Sequence, residues 1–414
     1  MNPIRLGIFG LGRGEAYIEC ALKCNAQVVA LCDKRQEALD AAAKQLGREV
    51  ALYHDFDDLL SHNLDAVFLA NYFHEHATYA IRCLEKGIHV LSECTANATM
   101  AEGVALVRAA EKSNAVYMLA ENYPYMKFNQ EIKRVCDGGT LGKILFAEGE
   151  YNHPLSPEDH NSLRVCRPYE THWRNFLPRS YYVTHSLAPL MHAVGATPIQ
   201  VSALPVYAPL GDEYANGNFV GDRSAIITTL NDDDSVFRIT GCAAYGAHGN
   251  SYRVCGEKGQ IENLRGMGGK VMLRYNSWDV PKGQKEACLY DPQWQDEDAD
   301  LAVSAGHEGS DYFVMRNFLR CIETGVKPDF DVYFATTMAS VAILAHRSIL
   351  AGGKPFRIPD FRREEDRKLY ENDTLTPFYG SDGSKPTLPC CSRPDYKPSD
   401  SQMERYYKII DNEL

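Results

Sequence analysis

The chain has 414 residues, enough for two or three domains with a substantial buried core. Its 45% hydrophobic and 24% charged residues exclude intrinsic disorder. Forty-three basic against fifty-five acidic side chains leave a net charge of −12, a field that repels phosphate backbones and anionic membranes, so neither nucleic acid nor membrane is an expected partner.

In chain order, Ile4–Phe9 reads as an apolar strand running into Gly10-Leu-Gly12-Arg-Gly14 and a helix to about Cys24. Val28–Cys32 is a second strand, closed by Asp33, followed by an alanine-rich helix over 36–46 and a short acidic helix near Phe56–Leu60. Strand Ala66–Ala70, helix His76–Lys86, strand Ile88–Leu91, helix Ala101–Glu111 and strand Val116–Ala120 continue the alternation. Continuous apolar strands between helices mean a parallel sheet covered on both faces. The pattern predicts a dinucleotide-binding Rossmann domain over residues 1–123.

After Glu121 the texture changes. A helix over Lys127–Cys136 ends at Gly138-Gly139, and strand-like segments follow at 143–151, 199–207, 224–230, 235–242, 251–256 and 270–275. They predict an α+β domain over 124–369 with an open, largely antiparallel sheet, serving substrate and oligomerisation. Helices 311–323 and 332–350 stop at glycines and are expected to pack back on the Rossmann domain. Residues 370–414, rich in Pro, Ser, Asp and Tyr without clear periodicity, predict an extended C-terminal tail. No leader or membrane span is visible, and the thirteen cysteines are scattered without a Cys-x-x-Cys pair, so reduced thiols and a cytoplasmic location are expected. No compact His/Cys ligand run occurs, and no metal is expected.

Glycines belong after the first strand because a pyrophosphate must approach the backbone at a helix N-terminus. Gly10, Gly12, Arg13 and Gly14 are the candidates, and the last glycine falls one position early, with Glu15 in its place, predicting a tighter turn. Asp33 ends the second strand about twenty residues on, where a carboxylate accepts from an adenosine ribose and repels a 2′-phosphate. It argues for NAD over NADP, a preference that the cationic Lys34 and Arg35 beside it soften. Asn71, His76, Glu93 and Asn122 lie at the carboxyl ends of later strands, the nicotinamide side of such a sheet.

The segments Glu93-Cys-Thr, Glu121-Asn-Tyr, Glu148-Gly-Glu-Tyr-Asn-His153 and Tyr182-Val-Thr-His185 resemble the glucose–fructose oxidoreductase-like superfamily over about residues 1–360. Sugar and inositol dehydrogenases of that superfamily carry a catalytic lysine where this chain has Cys94, and aspartates where it has Tyr181 and Ala188. The chain instead looks closest to the NAD-dependent glycosidases of the α-N-acetylgalactosaminidase type. Matching positions are Tyr151 and His153, Trp173 and Arg174, Glu121-Asn122, and Tyr182 and His185 ahead of Ser186-Leu-Ala-Pro189.

The resemblance implies a glycoside hydrolase acting by transient C3 oxidation, elimination of the aglycone, water addition and re-reduction, with NAD recycled. Tyr151, His153, Tyr182 and His185 would be catalytic; Glu93, Asn122, Trp173 and Arg174 would hold a small glycoside or oligosaccharide. Arg174, Arg164 and Arg167 are alternatives for recognising a negative substituent. A homodimer or homotetramer is implied. The competing reading is an NAD-dependent sugar or inositol dehydrogenase with net redox turnover.

Overall fold

The computed structural model describes residues 2–24, 26–154, 156 and 171–411. The chain divides into two compact units, neither contiguous in sequence: Met1–Met126, Trp294–Ala339 and Asp360–Asp373 form the first, and Lys127–Gln293, Ser340–Pro359 and Thr374–Leu414 the second.

The first unit contains β1 (Ile4–Phe9), β2 (Ala26–Cys32), β3 (Ala51–Tyr53), β4 (Ala66–Leu69), β5 (His89–Ser92) and β6 (Tyr117–Leu119). They form one sheet in the order β3-β2-β1-β4-β5-β6, parallel throughout. This is the doubly wound order that binds dinucleotides at the carboxyl ends of its strands. Leu6, Ile8, Val67 and Phe68 are fully buried, as strands covered on both faces require. The tighter turn expected from Gly14 is present: helix Leu11–Gly14 passes into a 3₁₀ turn over Glu15–Tyr17 before helix Ile18–Lys23. Three residues per 3₁₀ turn absorb the early glycine. The helix Met100–Lys112 starts in a capping box between Thr99 and Glu102. Helix Ser310–Thr324 packs on Ile18–Lys23, inside this unit.

The second unit is built on a nine-stranded sheet that places β7 (Ile144–Asn152) near its centre. The remaining strands are β8 (Pro198–Tyr207), β9 (Asp222–Asn231), β10 (Val236–Thr240), β11 (Gly249–Gly256), β12 (Gly259–Asn263), β13 (Val271–Tyr275), β14 (Ala287–Tyr290) and β15 (Phe356–Arg357). The order is β14-β13-β12-β11-β7-β10-β9-β8-β15, and β7 with β10 is its parallel pair. Along β7 the faces separate cleanly. Ala147, Gly149 and Tyr151 are buried, with helix Thr184–Val194 packed on the strand, while Glu148 and Glu150 pair with Arg238, Arg253 and Arg265 on the other face.

The expected α/β architecture is borne out, and the open antiparallel sheet with it. The extended tail is not what the structure has. Residues from Thr374 belong to the second unit, bury Phe378, Cys391 and Tyr406, and end in helix Asp400–Ile410. Its start is a Ser399/Gln402 capping box, and Tyr406 and Ile409, three apart, share one buried face. The proline-rich approach conceals that short periodicity.

His346 on helix Val332–Leu350 bonds through Nε2 to the Pro389 carbonyl at 2.7 Å, tying this last segment down. Burial pushes both His346 and His76 down to about 4 from the ordinary histidine value. Both are therefore neutral when folded, while the unfolded chain takes up a proton on each near pH 6.5. Their contribution is complete above that pH and is lost as pH falls towards 4, by about 3 kcal/mol per histidine. Urea unfolding across pH 4–7 should show stability rising with pH, and His346→Gln should reduce that slope by about one proton. An unchanged slope would mean that His346 stays charged in the fold.

Candidate cofactor and active site

In the first unit, Gly10 sits at φ +89°, and a Cβ there would lie 2.4 Å from the Ala70 carbonyl oxygen, so only glycine serves. A Cβ on Gly14 would meet Ile8 Cγ2 at 2.6 Å; this glycine lets the helix press on β1. Gly12 faces open space, with Arg35 Nη2 at 4.0 Å as its nearest neighbour, which leaves the cradle a pyrophosphate needs.

Asp33 accepts from the Leu11 amide at 2.7 Å and from the Arg35 amide at 2.9 Å and Nε at 3.2 Å. Burial works against its ionisation, but the Arg35 and Leu11 hydrogen bonds outweigh it and hold the carboxyl below its ordinary value. Arg35 is the exposed partner, so a ribose diol can replace it without disturbing Leu11. His76 is fully buried, with Nδ1 bonded to the Thr95 carbonyl at 2.9 Å and Nε2 without a hydrogen-bond partner among the described residues. Asn71 is half-buried just past β4.

Arg13, a candidate for cofactor contact, spends its guanidinium on protein carboxylates. Nε donates to Glu93 Oε1 at 3.1 Å and Nη2 to Asp311 Oδ1 at 2.8 Å. Asp311 is wholly buried and also receives Tyr17 at 3.2 Å, Asn122 Nδ2 at 2.7 Å and His307 Nδ1 at 3.0 Å. Burial alone would raise its pKa, but the His307 hydrogen bond and the Arg13 and His307 charges hold it far below the carboxylate range. Glu93 goes the other way, raised by burial and by the Asp311 charge, with Arg13 opposing. Tyr17, His307 and Asp311 were not among the sequence candidates. The signal for His307 and Asp311 is the Gly306-His-Glu-Gly-Ser-Asp311 run, nearly three hundred residues from Arg13. Cys94, at the lysine position of the resembled dehydrogenases, donates its thiol to the buried Glu121 carboxylate at 3.3 Å.

The second unit assembles the Tyr/His candidates. The Tyr182 hydroxyl and His185 Nε2 are hydrogen-bonded at 3.0 Å. The Tyr151 ring meets the His185 imidazole edge-on with centroids 5.0 Å apart and lies 5.9 Å from the Tyr182 ring. Tyr151 arrives on the buried side of β7, and Tyr182 and His185 at the start of helix Thr184–Val194. Gly149 makes the approach possible: a Cβ there would be 2.0 Å from the Ser186 carbonyl oxygen. Within this helix Pro189 has no N–H to offer the carbonyl four residues back, that of His185, and the Tyr252 hydroxyl from β11 donates to it instead.

His153 lies just past β7, exposed, with its ring 6.0 Å from Tyr151 and 5.0 Å from His248. Partial desolvation and then His248 draw its pKa below the ordinary value. Trp173 is buried, and the Arg174 guanidinium stacks on it at 4.5 Å. Arg164 and Arg167 lie outside the described residues. Tyr181 and Ala188, standing where the dehydrogenases have aspartates, are core residues, Tyr181 packed on His346 and Phe378. Among the described residues no three His, Cys, Asp or Glu side chains cluster so as to hold a metal ion. No helix among them is long and apolar enough to cross a membrane.

Comparison with known proteins finds two family matches along the chain. Residues 4–121 match the oxidoreductase family with an NAD-binding Rossmann fold, and residues 221–367 match the C-terminal domain of glycosyl hydrolase 109. A Glycosyl hydrolase family 109 protein of Streptomyces niveus is 29% identical over 94% of this chain and 82% of its own length. One from Shewanella sp. (strain W3-18-1) is 27% identical over 88% and 86%. Among solved structures, levoglucosan dehydrogenase in complex with NADH and levoglucosan aligns with TM-score 0.72 at 17% identity, over 86% of this chain and all of that one. An NAD binding oxidoreductase from Klebsiella pneumoniae aligns at 0.71 and 16%, over 86% and 99%. These two likenesses establish the fold. The cofactor is NAD, and the chain joins an oxidoreductase-family NAD-binding Rossmann domain to a glycosyl hydrolase 109 C-terminal domain.

Proposed function

We propose that the protein is an NAD-dependent glycoside hydrolase of the α-N-acetylgalactosaminidase type, acting on a small glycoside or oligosaccharide. The observation that carries the reading is the Tyr182–His185 hydrogen bond with Tyr151 packed on the same imidazole, in a chain that matches glycosyl hydrolase 109. Bound NAD supplies reversible hydride exchange at the sugar C3, so hydrolysis consumes no redox partner. His185, with Tyr182 on its Nε2, takes the proton of the C3 hydroxyl. A C3 ketone acidifies the proton at C2, and Tyr151 and His153 share its removal and the protonation of the leaving oxygen. The depressed pKa of His153 suits it to act as a neutral base.

Gly10, Gly12, Gly14, Asp33 and Arg35 hold the adenosine and pyrophosphate, and Asn71, His76, Glu93 and Asn122 the nicotinamide side. Glu93, Asn122 and Trp173 also position the sugar. Arg174 binds an acyl or carboxylate substituent from its place on Trp173. Arg174→Ala is therefore expected to raise KM about tenfold with kcat nearly unchanged, the signature of lost uniform binding. A fall in kcat alone would assign Arg174 elsewhere. A cytoplasmic homodimer or homotetramer completes the reading. The exposed charged face of the sheet, with Glu148 between Arg238 and Arg253, supports assembly, and the described cysteines, all thiols, support the location.

The test is anaerobic incubation with catalytic NAD⁺ and a panel of nitrophenyl glycosides and free sugars, following nitrophenol and NADH together. Many turnovers of nitrophenol without lasting NADH are expected. NADH accumulating one-for-one with an oxidised free sugar would make the protein a dehydrogenase.

A further inference from the structure

Asn122 follows β6 at the carboxyl edge of the Rossmann sheet and is 3% exposed. Its Nδ2 donates to Asp311 Oδ1, while its Oδ1 is buried with no hydrogen-bond partner among the described residues. The two ends of an amide are chemically opposite, so which one faces a ligand decides what the ligand must offer. An ionised carboxylate only accepts. Asp311, wholly buried and gathering donors from Arg13, Tyr17 and His307 as well, therefore forces the Asn122 NH₂ towards itself. The amide cannot turn over without setting two acceptors against each other. What remains is a fixed acceptor, and a buried acceptor without a donor marks where a ligand's N–H or O–H belongs. At the carboxyl edge of this sheet the ligand is NAD, whose nicotinamide carries a carboxamide NH₂.

We propose that Asp311 is a positioning residue that, through Asn122, presents a fixed hydrogen-bond acceptor to the carboxamide NH₂ of NAD and so sets the orientation of the nicotinamide ring. The inference rests on the reading above that Asn122 lies on the nicotinamide side. Arg13 and Tyr17 have a supporting part, since both hold Asp311 Oδ1 where Asn122 meets it.

The experiment is calorimetric binding of NAD⁺ and of 3-acetylpyridine adenine dinucleotide, in which a methyl ketone replaces the carboxamide and the N–H donor is gone. The wild type should bind NAD⁺ about tenfold more tightly than the analogue, the ratio expected for one buried hydrogen bond. Asn122→Ala should erase the preference. Asp311→Asn, whose amide donates as well as accepts, should let Asn122 turn over and bring the preference within about twofold, mainly through weaker NAD⁺ binding.

A wild type without the preference overturns the proposal. If Asn122→Ala keeps the wild-type preference, Asn122 is not on the nicotinamide side and the underlying reading fails with it. If Asn122→Ala loses the preference and Asp311→Asn keeps it, the role of Asp311 alone is overturned. Should Asp311→Asn fail to fold on thermal melting, Arg13→Gln/Asp311→Asn removes the buried charge from both partners and is compared with Arg13→Gln. Loss of the preference in the double variant alone supports the proposal; equal preference in both overturns it.

Discussion

Alanine in place of His185 is expected to lower the turnover of a nitrophenyl glycoside roughly 10²–10⁴-fold, the range of a lost general acid or base. The affinity for NAD⁺ should be unchanged. His185 opens helix Thr184–Val194, which carries none of the residues proposed to hold NAD⁺. Its imidazole has a defined partner at 3.0 Å in the Tyr182 hydroxyl and the Tyr151 ring beside it, so it is held in one place. Preorganisation of this kind is what a proton-transfer group requires. Steady-state nitrophenol release and calorimetric NAD⁺ binding on the same preparation check both halves. A loss of only about threefold would remove His185 from proton transfer.

Gly149→Ala is expected to destabilise the protein by about 3 kcal/mol, at the upper end of overpacking costs. Its Cβ would stand 2.0 Å from the Ser186 carbonyl oxygen and 3.0 Å from its carbon. The obstacle is backbone in a helical turn, not the end of a flexible side chain, so relief requires the helix to move. That turn is anchored, with the Ser186 hydroxyl bonded to the Thr240 carbonyl on β10 at 2.6 Å. Because the same turn carries His185, the folded fraction should also lose activity. Urea unfolding with the assay on the same variant measures both, and a cost under about 0.5 kcal/mol would mean that strand and helix are not in close contact.

The Rossmann sheet is legible because β1, β2 and β4 are largely buried apolar runs that alternate with helical segments, the pattern of covered parallel strands. The strands that escape notice are short or half-exposed. Ala51–Tyr53 has three residues at an edge, and Ala287–Tyr290 is exposed along most of its length. With so little buried, neither leaves a hydrophobic signature.

In the site, Tyr182 and His185 are legible as partners because a separation of three on a helix start brings side chains together. The contact between Arg13 and Asp311, 298 positions apart, is of the opposite kind. Nothing local in either segment announces it, and the buried carboxylate becomes meaningful only once the chain has brought four donors around it. His153 lies between these cases. Its spacing from Tyr151 is visible, but the neighbouring His248, which lowers its pKa, comes from a distant loop.

Pro189 and Tyr252 carry a consequence for how this part of the molecule breathes. In an uninterrupted helix the His185 carbonyl would be held from within, and the first turn could fray independently of the sheet. Here its donor is a hydroxyl on β11, and β11 is itself held to β7 through Tyr252 opposite Gly149. Peeling β11 away withdraws the donor from the helix, and unwinding the helix start strands a hydroxyl that is almost wholly buried. Strand and turn therefore open as one cooperative unit, and the imidazole stays in place for as long as the sheet is closed.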